Sequence, residues 1–384
     1  MRVAINAISA TAGGARTYLL NLARALPGLA SHEYRLYIPA AAAPGLAGLP
    51  SSFELRSVPW AERRYSARLW WEQVLLPREL KTWRADVLVC LGNFCPLRCP
   101  VPVLLLSRNP TYFTPRYFDG LLARGHYLWA ARHLAMTRLA LWSAQASRLT
   151  ITPTAAMAEM IRRSAGRRRL PLRAIHHGFQ PWPSANGRPR GSPPPPPPFR
   201  FLLVSHYNYF RNFETVFRAF ALLRNQGAPG SFTLTLTTRL APGLRLGGYD
   251  TTRAYRLVRD LGIEDVVSTR GAVPYDELPV VYGSAHAVLC PAYTESFSHT
   301  VVEAMSLGVP VIASDIAVHR EVAAEAALFF SPLDPAALAG CCRRLMDAES
   351  LRARLAAAGP ERARAFSWRG HFEQLLEAAA EAAR

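Results

Sequence analysis
Apolar residues along the chain change their spacing in a repeated order. RVAINAI, residues 2–8, is a short apolar run suited to a buried strand, and the glycine-bearing turn SATAGGAR follows it. In the next segment, TYLLNLARAL, Leu19, Leu22, Ala23 and Leu26 recur at i, i+3, i+4 and i+7, which places them on one helix face. The second half begins the same way. FRFLLVS, residues 199–205, reads as a strand, HYNYFRN as a loop, and Phe213, Val216, Phe217 and Phe220 repeat the helical spacing. Two α/β units are therefore predicted, starting at residues 1 and 199.

Between them lies QPWPSANGRPRGSPPPPPPFR. Its six consecutive prolines, 193–198, donate no backbone hydrogen bonds to a sheet and favour extended polyproline II, so the stretch reads as an interdomain linker. Further on, SFTLTLTT, HAVLC and VPVIAS are short β-rich runs separated by helical segments, as in a parallel sheet covered on both faces. The expected division is 1–183 for the first Rossmann-like unit, 184–198 for the linker and 199–365 for the second unit, with a last helix at 366–384 placed to cross back to the first. Ligands of such sheets bind at the carboxyl ends of the strands, so each loop just after a strand is a place to look for chemistry.

Length agrees with two units, because 384 residues exceed the roughly 250–300 at which a single core stops growing. Charge adds an anionic partner to the picture: 45 basic residues against 27 acidic ones give a net +18. Lys81 is the sole lysine, and so strong an arginine bias beside abundant alanine also fits a GC-rich genome. The opening MRVAINAISATAGG breaks at glycine rather than running on as a secretory segment, and no window holds about 18 uninterrupted apolar residues. The expected location is the cytoplasm, free or peripheral to the inner face of the cell membrane. Cys90, Cys95 and Cys99 in CLGNFCPLRCP would need a fourth ligand to hold zinc and read as ordinary thiols on a strand and its loop, with no metal expected.

Three loops then stand out. Gly13 and Gly14 follow the first strand and precede a helix, where free N–H groups and the helix dipole favour an anion, although a simple tight turn explains them equally. After the linker, His206 and Arg211 lie just before a helix, where Arg211 is either a diphosphate ligand or a solvated surface arginine. The third loop, PAYTESFS, follows the strand HAVLC and leads to a helix for which Ser298 is the expected N-cap. Glu295 falls in this loop and Glu303 in the second helical turn. Two carboxylates flanking a helix N-terminus match the alternating needs of a sugar nucleotide, hydroxyls around an anionic diphosphate; a dipole-paired Glu and a surface Glu are the plainer alternative.

At this point the chain resembles a known family. ESFSHTVVEAMSLGVPVIAS is similar to the E-x7-E signature of the retaining glycosyltransferases of the group 1 type (family 4), which have the GT-B architecture of two Rossmann-like domains facing a central cleft. GAVPYDELPVVYGSAHAVLCPAYTESF, EVAAEAALFFSPLDPAALA, RARAFSWRGHFEQLLEAA and GGARTYLLNLARAL resemble other family segments in the same order. The resemblance implies a hexosyltransferase that uses a nucleotide-sugar donor, without a cofactor, on a glycan or lipid-linked saccharide acceptor. Mannosyl transfer in polysaccharide biosynthesis is one form of that activity. Glu295 matches the glutamate on the donor sugar and Glu303 the one on the ribose. Phe297, Ser298, His299 and Thr300 fall in the donor-binding helix start, Arg211 takes the place of a diphosphate lysine, and Gly14 sits in a phosphate-approaching loop. Gly271 and Val273 resemble the segment that cradles the base. Three positions depart from the family pattern. His206 stands where an arginine is usual, Ser298 where a glycine is common, and Arg108 and Asn109 where many members carry His-Asp beside the reacting sugar.

The implied reaction needs positive potential on the leaving diphosphate, expected from Arg211 and the helix N-terminus. No Asp-x-Asp occurs, so a metal clamp is not indicated. The acceptor is expected on the first domain, which offers SARLWWEQVLLPREL and LLARGHYLWAARHLAMTRLALWSAQ. The latter, with Arg124, Arg132 and Arg138, reads as an interfacial helix against anionic lipid or as a core-facing helix with a basic outer face. Other readings are weaker. A pyridoxal-dependent phosphorylase needs a lysine in the second half, and Lys81 lies in the first. Nucleic acid is not an expected partner, because the arginines are spread and no binding module is recognisable. A catalytically silent binding protein remains the alternative that Arg108 and Asn109 raise.

Overall fold
The computed structural model describes residues 1–11, 13–28, 32–46, 48–182, 197–227 and 230–384. Most of the expected linker, 184–196, lies outside the described residues. Contacts divide the chain into two compact units, Met1–Gly178 with Phe366–Arg384, and Phe179–Ala365.

The first unit is built on seven parallel strands: β1 (Arg2–Asn6), β2 (Glu33–Ile38), β3 (Phe53–Ser57), β4 (Val87–Cys90), β5 (Val103–Leu106), β6 (Leu149–Thr152) and β7 (Leu172–Ala174). Their order is β3-β2-β1-β4-β5-β6-β7. Alternate residues feed two cores. Val3, Ile5, Leu36, Val87 and Val89 pack under the helices Gly13–Ala25 and Trp368–Ala383, while Ala4, Tyr37, Leu88 and Leu105 meet Trp71, Leu76 and Leu80 on the other face. A strand buried on both faces needs apolar residues at every position, which is why RVAINAI and VLVC show no polar alternation.

The C-terminal helix Trp368–Ala383 belongs to this unit. Its buried Trp368, His371, Phe372, Leu375, Ala378, Ala379 and Ala382 line one face, and the Ser367 side chain caps it by accepting the Gly370 N–H at 3.0 Å. Each large apolar residue so buried contributes roughly 1.5–3 kcal/mol. Docking is close enough that a Cβ on Gly178 would lie 2.1 Å from the Trp368 backbone nitrogen. Gly178→Ala is expected to cost at least roughly 1–3 kcal/mol and to lower the first melting transition by several degrees. An unchanged melting curve in calorimetry would contradict this packing.

The second unit holds six parallel strands, β8 (Phe199–Leu203), β9 (Phe232–Leu236), β12 (Val267–Thr269), β13 (Ala287–Cys290), β14 (Val311–Ser314) and β15 (Ala327–Phe330), with a small hairpin of β10 (Arg245–Leu246) and β11 (Tyr249–Asp250). The sheet order is β12-β9-β8-β13-β14-β15. Phe213, Val216, Phe217 and Phe220 are fully buried on the helix Phe213–Gln226, as their spacing predicts. Phe179 to Trp182 go with this unit, where the Trp182 ring lies 5.4 Å from Tyr275 and 5.8 Å from Tyr282.

Candidate functional site
In the second sheet the strand order reverses between β8 and β13, so the loops leaving these two strands meet at the carboxyl edge. Local polar residues shape the first loop. Asn208 accepts the Arg211 N–H at 3.0 Å and closes the turn Tyr209–Arg211; Asn212 then adopts φ +58°, a left-handed conformation that asparagine tolerates. The Asn212 amide donates to the Pro291 carbonyl at 3.0 Å, and the Tyr293 N–H donates to the Phe210 carbonyl at 3.1 Å. With both loops pinned together, the Arg211 guanidinium donates through Nη1 to Glu295 Oε1 as an ion pair.

Glu295 is only 7% exposed, and Arg211 Nε is buried with no hydrogen-bond partner. Two more donors near this edge are in the same condition, Thr238 Oγ1 beyond β9 and Trp182 Nε1. A buried donor without an acceptor costs about 1–3 kcal/mol and calls for an explanation.

Arg211 and Glu295 line a small recess with Ser298, Thr300 and His319. Here Ser298 departs from the expected cap. It occupies the position before the helix His299–Ser306, but with φ +67°, and its side chain makes no capping bond. That left-handed backbone suits glycine better, and it turns the hydroxyl toward His319 Nε2, 3.2 Å away. His319 Nδ1 lies 2.9 Å from the Ser314 carbonyl, so that nitrogen carries the proton and Nε2 accepts from Ser298. Burial holds the His319 pKa down to about 4, so the ring is neutral near pH 7. Ser298 thus turns a lone pair, not its proton, toward the recess.

Glu303 lies in the second turn of the same helix, and the Tyr282 hydroxyl donates to its Oε2 at 2.7 Å. Burial pushes its pKa up to about 7, against the opposing effect of the Tyr282 bond. Beneath both carboxylates, burial and then the Glu295 charge raise the Cys290 thiol well above its usual range. Phe297 is buried, with the ring of His299 5.0 Å away. His206 is exposed on its loop, and partial loss of solvent and then the Arg211 charge push its pKa below the ordinary value. Gly271, in the loop after β12, has φ +89°, and a Cβ there would meet the Arg239 side chain at 3.1 Å; half-buried Val273 follows.

The first unit holds the remaining expected residues at its own carboxyl edge. Gly13 and Gly14 form the first turn of the helix Gly13–Ala25 rather than the loop before it, and a Cβ on Gly14 would meet nothing within 4 Å. Arg108, just past β5, donates through Nη2 to the Leu91 carbonyl and lies 4.7 Å from the centre of the Tyr18 ring. Burial lowers its pKa. Tyr18 is itself held by His371 Nε2 at 2.7 Å, and His371 Nδ1 donates to the His176 carbonyl at 2.7 Å. Asn109 accepts the Thr111 N–H at 3.1 Å and the Thr111 hydroxyl at 2.7 Å, the task of a turn cap. Cys90 and Cys95 are buried, and no group of three His, Cys, Asp or Glu among the described residues is placed to hold a metal. A roomier concavity of about 670 Å³ lies at the opposite, amino edge of the first sheet, lined by Arg2, Glu33, Arg84 and Asp86. Ligand sites of open parallel sheets do not form at that edge.

Two parallel-sheet α/β units, each reversing its strand order, define a fold of the GT-B kind. Solved structures agree on the fold: sucrose-phosphate synthase from Thermosynechococcus elongatus matches over 99% of this chain and 98% of its own, with a TM-score of 0.76 at 17% identity. Anabaena HepE, in a complex with UDP-glucose, matches over 99% of this chain and 100% of its own, with a TM-score of 0.69 at 17% identity. Two family models cover the chain, Glycosyltransferase Family 4 over residues 12–181 and Glycosyl transferases group 1 over 189–362. The chain belongs to the group 1 glycosyltransferases. Among curated relatives, O-antigen chain mannosyltransferase B of Escherichia coli is 31% identical over 148 residues, which is 38% of this chain and 39% of that protein.

Proposed function
We propose that the chain transfers a hexosyl group from a nucleotide-diphosphate sugar to an acceptor hydroxyl with retention of configuration. The observation that carries this reading is Arg211, which holds Glu295 with one nitrogen and keeps a second, Nε, buried without a partner. A diphosphate oxygen supplies the acceptor that Nε lacks and meets the dipole of the helix His299–Ser306. Glu295 then accepts from a sugar hydroxyl and Glu303 from the ribose, with Gly271 and Val273 along the base. As the C1–O bond to the diphosphate breaks, the acceptor oxygen bonds C1 on the same face and its proton passes to the leaving phosphate. Arg211 stabilises the charge that this leaving group gains.

The acceptor, a glycan or lipid-linked saccharide, is assigned to the first unit. Likeness to a mannosyltransferase favours mannose, and the UDP-glucose complex of a structural neighbour favours a nucleotide-sugar donor. A thermal-shift panel with UDP, GDP, ADP and their sugars tests the reading. A ligand at 100 times its Kd adds about 2.7 kcal/mol of stability, and the absence of any shift overturns the donor site. A shift without turnover on any acceptor supports the second reading, a silent binding protein. That reading draws on Arg108 and Asn109, whose side chains are engaged with Leu91, Tyr18 and Thr111.

A further inference from the structure
The helix Tyr127–Ala146 is apolar on two opposite faces. Inward, Ala130, His133, Ala140, Leu141 and Ala144 are buried, with His133 5.1 Å from the Tyr117 ring and Thr137 donating to the Tyr112 carbonyl at 2.9 Å. Outward, Leu128, Ala131, Ala135, Arg138 and Trp142 fall at i, i+3, i+7, i+10 and i+14, all exposed. Leu128 is 86% exposed, Tyr127 69% and Trp142 49%. An ordinary surface helix turns polar residues outward, so a second apolar face requires a partner. The exposed side of the helix thus carries Leu128 and Trp142 beside Arg132 and Arg138.

The neighbouring segment continues the surface. Tyr65 donates to Met136 Sδ at 3.4 Å, the Arg132 guanidinium lies 5.7 Å from the Tyr65 ring, and the exposed rings of Trp60 and Trp70 lie 5.8 Å apart, tilted by 57°. Charge is one-sided, since no acidic residue occurs between Asp119 and Glu159 while Arg124, Arg132, Arg138 and Arg148 do. No helix among the described residues is long and apolar enough to cross a membrane.

We propose that the outward face of the helix Tyr127–Ala146, with Trp60 and Trp70 in the adjoining segment, docks on a lipid bilayer carrying anionic headgroups. Exposed Leu, Trp and Tyr enter the boundary between headgroups and acyl chains, and the arginines pair with phosphates above it. The helix carries cations and no acid, and in the adjoining segment Glu62 is half-buried and Glu72 buried, a bias that matches anionic headgroups better than the mixed charge of most protein surfaces.

Co-sedimentation of the full chain with vesicles, without nucleotide, tests this. Vesicles of phosphatidylglycerol and phosphatidylcholine in equal parts should capture the protein, less so at high salt, and phosphatidylcholine alone should not. Leu128→Glu with Trp142→Glu should abolish capture, and Arg132→Gln with Arg138→Gln should weaken it roughly thirtyfold. Unchanged melting curves confirm that the variants fold; the arginine pair provides a second test if the glutamates disturb the helix. Failure to bind anionic vesicles, or binding indifferent to both variant pairs, overturns the proposal. So does self-association in light scattering that the same substitutions remove without any vesicle capture. Because nucleotide is absent, these outcomes leave the donor-site reading to its own test.

Discussion
Replacing Arg211 with alanine is expected to lower kcat/KM for sugar transfer by roughly 10²- to 10³-fold, most of it in kcat. The reason is where the charge goes. The departing diphosphate gains charge in the transition state, and Arg211 is held ready for it by Asn208, Asn212 and Glu295, so no reorganisation is needed when the bond breaks. Arg211→Lys keeps the charge and loses the planar fork, so it should retain activity within roughly tenfold of wild type. Steady-state kinetics with saturating acceptor decides the matter. Equal rates for wild type and alanine variant would remove Arg211 from the chemistry.

Stability offers an independent readout of the same pair. Arg211→Ala leaves Glu295 largely buried beside a vacated guanidinium site, at an expected cost of roughly 2 kcal/mol. That lies below the 3–5 kcal/mol of a fully buried pair because the Arg211 side chain is 24% exposed. Removing both partners relieves the unpaired charge, so the double variant should be more stable than additivity predicts.

The sequence carried the frame of this site and little of its wiring. Apolar runs at strand length, and Phe213, Val216, Phe217 and Phe220 at helical spacing, were legible because burial on a regular element imposes a period. The loop position of Glu295 and the second-turn position of Glu303 follow from the same pattern. Asn208 and Asn212 were not singled out, because their work is local backbone geometry that any loop asparagine might do. His319 was missed altogether: it lies beyond the next strand, and only the fold brings its ring to Ser298. Capping by Ser298 failed for a backbone reason, since the preference for serine presumes an extended φ and this residue has +67°. The outward apolar face of Tyr127–Ala146 was ambiguous in sequence because apolar residues on two opposite faces cancel and leave little contrast to read.

Raising the pH from 5 to 8 is expected to strengthen donor binding while the ionisation of Glu303 takes stability from the fold. Burial raises its pKa in the folded chain from 4.5 to about 7. Between those values the folded protein keeps a proton that the unfolded chain has released. The stabilising contribution is complete below the lower value and is lost as pH rises through the upper one, on the order of 3 kcal/mol in all. His319 acts in the opposite sense: its pKa, lowered from 6.5 to about 4, adds stability that is lost on acidification. Wild-type urea midpoints alone therefore mix two slopes. Their difference from Glu303→Gln isolates one, because glutamine resembles the protonated acid and never ionises. The variant should gain stability relative to wild type as pH rises from 5 to 8, and a difference that stays flat would show that Glu303 does not titrate there. Donor KM should move the other way. Ionised Glu303 accepts ribose hydroxyls more strongly than the neutral acid, so wild-type KM should fall by roughly tenfold as pH rises through 7, while the Glu303→Gln variant keeps a high and pH-independent KM. Opposite pH trends in affinity and in the Glu303 share of stability, both removed by one substitution, are the signature of a buried carboxylate kept for binding rather than for the fold.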